Sequence, residues 1–139
     1  MKPEELMIGD WVVYNGDVEY TDPIRIEGID ITGVCITSDR DDVGFDGIQP
    51  IPLTAEILEK NGFTFKKHTY FLKKDGHYWI NEGGNIFIKY GKKSTYKIDS
   101  WMINIDNENG YPVCCFDIFY VHELQHALKL CGIKKEIEL

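Results

Sequence analysis

The chain is poor in the features that would place it quickly. Basic charge is scarce: 15 Lys and Arg stand against 23 Asp and Glu, for a net charge of −8. Proteins that hold nucleic acid or anionic membranes draw affinity from Lys and Arg displacing counterions, so this balance disfavours both. The basic residues cluster only as the pairs Lys66-Lys67, Lys73-Lys74, Lys92-Lys93 and Lys134-Lys135. They sit in or beside turns or in the tail, where solvated charge is expected. No apolar run approaches the ~20 residues of a membrane span. The opening MKPEELMIGDW has no apolar centre of signal-peptide length. A cytoplasmic protein without a membrane segment is the expectation.

Cysteine is also scarce and unpatterned. Cys35, Cys114, Cys115 and Cys131 show no C-x-x-C spacing, the commonest sign of a metal or redox pair. In a reducing compartment they are thiols. Cys114 and Cys115 are adjacent, so on a strand they point to opposite faces, which suits packing better than one shared metal. Buried structural thiols are expected.

What is present suits a folded core. Hydrophobic residues are 43% and aromatics 13% of the 139 residues, enough for a packed interior and for one domain or two small lobes. The first fifty residues read as short strands between turns. GDWVVYNGD (9–17) runs from a Gly-Asp opening to an Asn-Gly turn. PIRIEGI (23–29) alternates with period two, GVCITS (33–38) is β-rich, and DDVGFDGIQP (41–50) ends a strand near Ile48. Four strands with no room for a helix predict a small SH3-like barrel lobe over 1–50. Asp39, Asp41, Asp42 and Asp46 lack the alternating ligands and closing Glu of a calcium loop, and read as turn carboxylates.

PIPLTAEILEKNGF (50–63) predicts one short central helix. Thr54 is a good N-cap. Leu53 and Leu58 are placed as a hydrophobic staple, and Gly62 supplies a left-handed stop. From Phe63 to Ile118 the chain reads as a β-meander, with strands at Phe65–Lys73, His77–Asn81, Asn85–Tyr90, Tyr96–Ile105 and Pro112–Ile118. Their short connectors imply antiparallel neighbours. Tyr78, Trp79, Tyr90, Tyr96 and Trp101 could form an exposed aromatic strip of the kind binding surfaces use. The overall expectation is an α+β, mostly antiparallel protein. A lobe at 1–50 is followed by a helix-bearing meander at 51–139, closed by a C-terminal helix, and the last six residues, KKEIEL, form a charged tail.

The closing helix contains HELQH, residues 122–126, which matches the zinc-protease signature H-E-x-x-H. Histidines at i and i+4 can face one metal, and the Glu can act as base on its bound water. The string arises by accident in about 1% of chains of this composition, so it is weak alone. On a helical wheel Tyr120, Val121, Leu124, Ala127, Leu128 and Cys131 share the core face. His122, Gln125, His126 and Lys129 share the opposite face, which points to water unless another part of the chain covers it. A third ligand is missing from the expected place: Lys129 and Gly132 stand where the extended motif has Gly and His. His68 and His77 have no supporting spacing, and Glu136 and Glu138 fall in the tail.

Three stretches, LMIGDWVVYNG (6–16), IQPIPLTAEILEKNGF (48–63) and YVHELQHALKLCG (120–132), occur in that order. Together they resemble a group of small uncharacterised proteins of anaerobic gut bacteria, often phage- or mobile-element-associated. The resemblance covers about a third of the chain. The closing motif of that group looks like V-H-x-L-Q-x, so Val121, His122, Leu124 and Gln125 match it while Glu123 and His126 are its variable positions. It implies no activity, cofactor or catalytic residue.

These readings assign no catalytic, cofactor-binding or metal-ligating residue. They favour a non-enzymatic binding or adaptor protein of a mobile element, with a protein partner of unspecified identity. The alternatives are a zinc-dependent hydrolase built on His122, Glu123 and His126, and a nucleic-acid-binding barrel, which the acidic balance disfavours. The oligomeric state is not legible.

Overall fold

The computed structural model describes residues 1–15, 22–35, 43–66, 69–74, 77–78, 80–81, 84–93, 99–106 and 111–139. The fold is α+β, with antiparallel sheets and two α-helices among the described residues. The chain divides into two compact units. One comprises Met1–Ile51 with Tyr120–His126, the other Pro52–Phe119 with Ala127–Leu139. None of the helices is long and apolar enough to cross a membrane among the described residues.

The first unit holds β1 (Trp11–Tyr14), β2 (Pro23–Arg25), β3 (Gly28–Ile29), β4 (Gly33–Cys35), β5 (Val43–Gly44) and β6 (Ile48–Pro50). They form two three-stranded sheets, ordered β2-β1-β6 and β3-β4-β5. This corrects the barrel expectation: among the described residues the strands do not close. The break lies inside PIRIEGI, where period two predicts one strand. Ile26 N–H donates to the Asp10 carbonyl, and the next residue, Glu27, donates to the Cys35 carbonyl. One residue therefore separates bonding to the segment before β1 from bonding to the end of β4, so the run serves two sheets. Leu6, Val12, Ile26, Val34 and Ile48 form the core of this unit. Arg25 lies 4.8 Å over the ring of Trp11, its antiparallel partner, a cation–π contact at the sheet surface.

The second unit opens with α1 (Ala55–Lys60). Thr54 caps it, its hydroxyl accepting from Ile57 N–H at 3.3 Å, and Gly62 stops it with φ +78, where a Cβ would be strained. Leu53 and Leu58 are both buried, each contributing roughly 2 kcal/mol of apolar burial. The meander follows: β7 (Phe63–Lys66), β8 (Thr69–Lys74), β9 (His77–Tyr78), β10 (Ile80–Asn81), β11 (Gly84–Lys93), β12 (Asp99–Asp106) and β13 (Pro112–Ile118). The main order is β13-β12-β11-β8-β7, with β9 on β8 and β10 on β11. The single strand expected over 65–73 is two paired strands, with Phe65 opposite Tyr70.

Trp101 and Ile103 on β12 are buried, and Met102 between them is exposed, which is the period-two signature of a sheet with one covered face. Trp101 is thus a core residue rather than part of an aromatic strip. It is 2% exposed, and its indole N–H donates to the Leu53 carbonyl at 2.8 Å. Trp79, Tyr96 and the side chains of Tyr78 and Tyr90 lie outside the described residues. The cysteine expectation also needs correction. All four are thiols, but Cys114 and Cys115 are exposed, and Cys35 and Cys131 are half-buried. Among the described residues β13 ends its sheet, next to β12, and residues 114–117 along it are exposed.

The last helix, α2 (Val121–Leu130), begins in the first unit and ends in the second. Its stop is a Schellman motif. Gly132, at φ +72, donates to Lys129 at 3.0 Å, and Ile133 donates to Leu128 at 2.9 Å. The residues after it are not a loose tail. Ile133 and Ile137 are buried. The Asn61 side chain donates to the Glu138 carbonyl at 2.7 Å and accepts from Glu138 N–H at 2.8 Å. Lys60 also donates to the Leu139 carbonyl. The charged letters of KKEIEL hide Ile137, which forms an i, i+4 apolar pair with Ile133 just before the string and which charge counting overlooks.

Candidate functional site

The sequence motif lies in the first two turns of α2. The core face is as the wheel predicts: Val121, Leu124, Ala127 and Leu128 are buried. The opposite face is not wet. His122 is only 4% exposed, the His126 side chain is 19% exposed, and Gln125 is half-buried, while Lys129 is exposed. The cover is the segment Gly9-Asp10-Trp11 of the same unit. Gln125 holds its backbone at two points, accepting from Trp11 N–H at 3.1 Å and donating to the Gly9 carbonyl at 3.0 Å. His126 Nε2 meets both oxygens of the buried Asp10 carboxylate, at 2.9 and 2.8 Å. One of those oxygens also accepts from Met7 N–H at 2.7 Å. A buried carboxylate is tolerated only when bonded in this way.

Glu123 is occupied locally. Its Oε2 accepts from Tyr120 N–H at 3.0 Å, the backward half of a capping box that satisfies a donor at the helix start. The neighbouring donor, Val121 N–H, reaches the Ile51 carbonyl at 2.9 Å. The helix is thereby docked at its first turn.

His122 has no such engagement. Its Nδ1 is buried with no hydrogen-bond partner. The ring stacks near-parallel to Tyr120, with centroids 5.8 Å apart, and meets His126 edge-on at 5.7 Å. Burial is the main influence on its pKa and lowers it below 6.5; Glu123 and Asp10 oppose it, and His126 (downward) and Glu5 (upward) act more weakly. Burial thus favours the neutral ring at pH 7. A cleft of about 300 Å³ opens beside it, lined by Met1, Glu5, Pro50, Tyr120, His122, Glu123 and His126. Glu5 stands on a short 3-10 turn, Pro3–Glu5, where its carboxylate accepts from Lys2 N–H at 3.1 Å.

This arrangement bears on metal binding. Two atoms ligating one tetrahedral zinc at about 2.1 Å stand about 3.4 Å apart. The 2.8 Å between His126 Nε2 and Asp10 is a direct hydrogen bond. Among the described residues no group of three or more His, Cys, Asp and Glu is arranged to hold a metal ion. Of the other residues weighed from sequence, His68, Asp39, Asp41 and Asp42 lie outside the described residues. Asp46 sits in a 3-10 turn, Phe45–Gly47. His77 begins β9 in the second unit.

Sequence reasoning missed Asp10 and Glu5. Asp10 reads as part of a strand opening, and 116 residues separate it from His126, so no spacing rule joins them. One signal was present. The face His122, Gln125, His126 carries uncharged hydrogen-bonding groups in place of Lys or Glu, a composition that suits a polar partner more than bulk water.

Comparison with family models, with curated proteins and with solved structures finds no match to this chain.

Proposed function

We propose that this chain is a non-enzymatic binding or adaptor protein of a phage or other mobile element, working in the cytoplasm. The observation that carries the reading is the engagement of the H-E-x-x-H side chains. Glu123 caps its own helix, Gln125 ties down Gly9 and Trp11, and His126 is held by Asp10. A zinc bound through Nε2 of His126 needs the lone pair that the Asp10 hydrogen bond replaces with a proton. One oxygen of the Glu123 carboxylate is held by the helix backbone, which disfavours it as a general base. His122 is the one member of the motif left over, and a catalytic zinc takes three protein ligands. The mobile-element part of the reading rests on the sequence resemblance alone.

The test is metal content and turnover. Protein purified without a metal-affinity tag is expected to carry zinc far below one ion per chain, and chelator should leave its unfolding midpoint unchanged. Stoichiometric zinc that disappears in His126→Asn would overturn the reading in favour of a zinc-dependent hydrolase through His122, Glu123 and His126. So would a hydrolytic activity abolished by Glu123→Gln in a protein that stays folded.

A further inference from the structure

We propose that the cleft of the first unit binds a guanidinium group. The inference rests on the non-catalytic reading above, since it gives His122 a ligand other than zinc. Four features of the cleft support it. Among the described residues its wall carries two carboxylates, Glu5 and Glu123, and no Lys or Arg side chain. The α2 amino end adds a partial positive charge of about one half, which two full carboxylates outweigh, so an anion is disfavoured. The Met1 ammonium, also at the wall, donates to the Phe45 carbonyl at 2.8 Å; set with the helix end against the two carboxylates, it leaves a slight negative balance.

Second, His122 is buried, lines the cleft and has an Nδ1 without a partner. A buried polar atom left unbonded is costly, and in the tautomer with its proton on Nε2 the ring offers Nδ1 as an acceptor to a bound N–H donor. Third, Tyr120 and His122 form a near-parallel pair at the wall, 16° from coplanar orientation. A guanidinium favours aromatic faces more than an ammonium does, and its planar fork suits carboxylates. Fourth, a volume of about 300 Å³ lies at the small end of ligand sites. It admits a planar head group with a short stem.

The group can come from a small molecule or from an arginine of a protein partner. The experiment is a titration of the full isotope-labelled chain, followed through the His122 ring C–H resonances. Methylguanidinium is expected to give a saturable shift. Methylurea, the same shape without charge, should bind about tenfold or more weakly, since a desolvated charged hydrogen bond is worth over 1 kcal/mol. Glu5→Gln, at an exposed position that leaves the fold intact, should weaken methylguanidinium about two- to fivefold. A blocked Gly-Arg-Gly peptide binding more tightly than methylguanidinium identifies a protein source, and equal affinity a small-molecule source. No saturable shift with methylguanidinium, or methylurea binding as well, overturns the inference. If that happens in zinc-free protein, the non-catalytic reading stands; stoichiometric zinc overturns that reading instead.

Discussion

Both carboxylate oxygens of Asp10 reach Nε2 of His126, at 2.9 and 2.8 Å, across 116 positions of sequence. The pair converts a string that looks like a metal site into a structural clasp. It joins the segment before β1 to the second turn of α2, inside one unit.

The clasp predicts coupled stability. Asp10→Ala strands the Met7 N–H and the His126 ring, and should cost about 2–4 kcal/mol. His126→Ala should cost about 1–3 kcal/mol, less because its ring is partly wet. A double-mutant cycle read by urea unfolding should show about 1–2 kcal/mol of coupling. Losses that simply add would mean that the two side chains act independently.

Gln125 predicts an asymmetry between two substitutions. Gln125→Ala removes both bonds to the Gly9–Trp11 backbone and should cost about 1–2 kcal/mol. Gln125→Glu keeps an acceptor for Trp11 N–H but sets a carboxylate against the Gly9 carbonyl. It should be at least as destabilising as Ala at pH 7, and should recover as the pH falls toward about 4 and the new carboxyl takes a proton. A Glu variant as stable as the parent at pH 7 would show that the donor half of the clamp does not matter.

His122 predicts acid sensitivity with a definite sign. Its folded pKa lies below 6.5, chiefly because burial opposes the charge. Above 6.5 the ring is neutral in both states and its contribution to stability is complete. As pH falls below that value the unfolded chain takes up the proton first, and stability drops at up to about 1.4 kcal/mol per pH unit until the folded pKa is reached. Of the groups facing the ring, Glu123, Asp10 and Glu5 raise the pKa and His126 lowers it, and burial outweighs the upward pulls. Urea midpoints measured from pH 7.5 to 5 should slope in the parent and less in His122→Asn. Equal slopes would assign the acid sensitivity to another group.

The indole of Trp101 predicts a loss beyond volume. Trp101→Phe removes the donor to the Leu53 carbonyl, 2.8 Å away in the second-unit core, and leaves a buried acceptor unbonded. A cost of about 2–4 kcal/mol is expected from the lost bond and the cavity together, read by thermal or urea unfolding.

Much of the secondary structure was legible because it is set locally. Thr54 and Gly62 bound α1 through their own caps, and Val121, Leu124, Ala127 and Leu128 repeat at helical spacing. The alternation through Trp101, Met102 and Ile103 did not say which face is covered: Trp101, a candidate for an exposed strip, is buried. The misreadings share one cause. PIRIEGI looks like one strand because period two does not record which neighbour each residue bonds. KKEIEL looks like a tail because Ile137 is outnumbered by charge nearby, although it is buried. Cys114 and Cys115 look like core thiols because an apolar run does not reveal that its strand ends the sheet.

The sequence by itself determined where the helices start and stop, which side chains alternate along the meander, and the acidic balance of the chain. Caps, φ preferences and hydrophobic periods act over a few residues, and those residues are adjacent in the string. Only the tertiary structure decided what HELQH is. The identity of the group facing His126 depends on which segment folds back onto α2, and Asp10 arrives there through strand pairing in the first unit rather than through any spacing. The same folding left His122 buried beside an acidic cleft, with one ring nitrogen still to be matched.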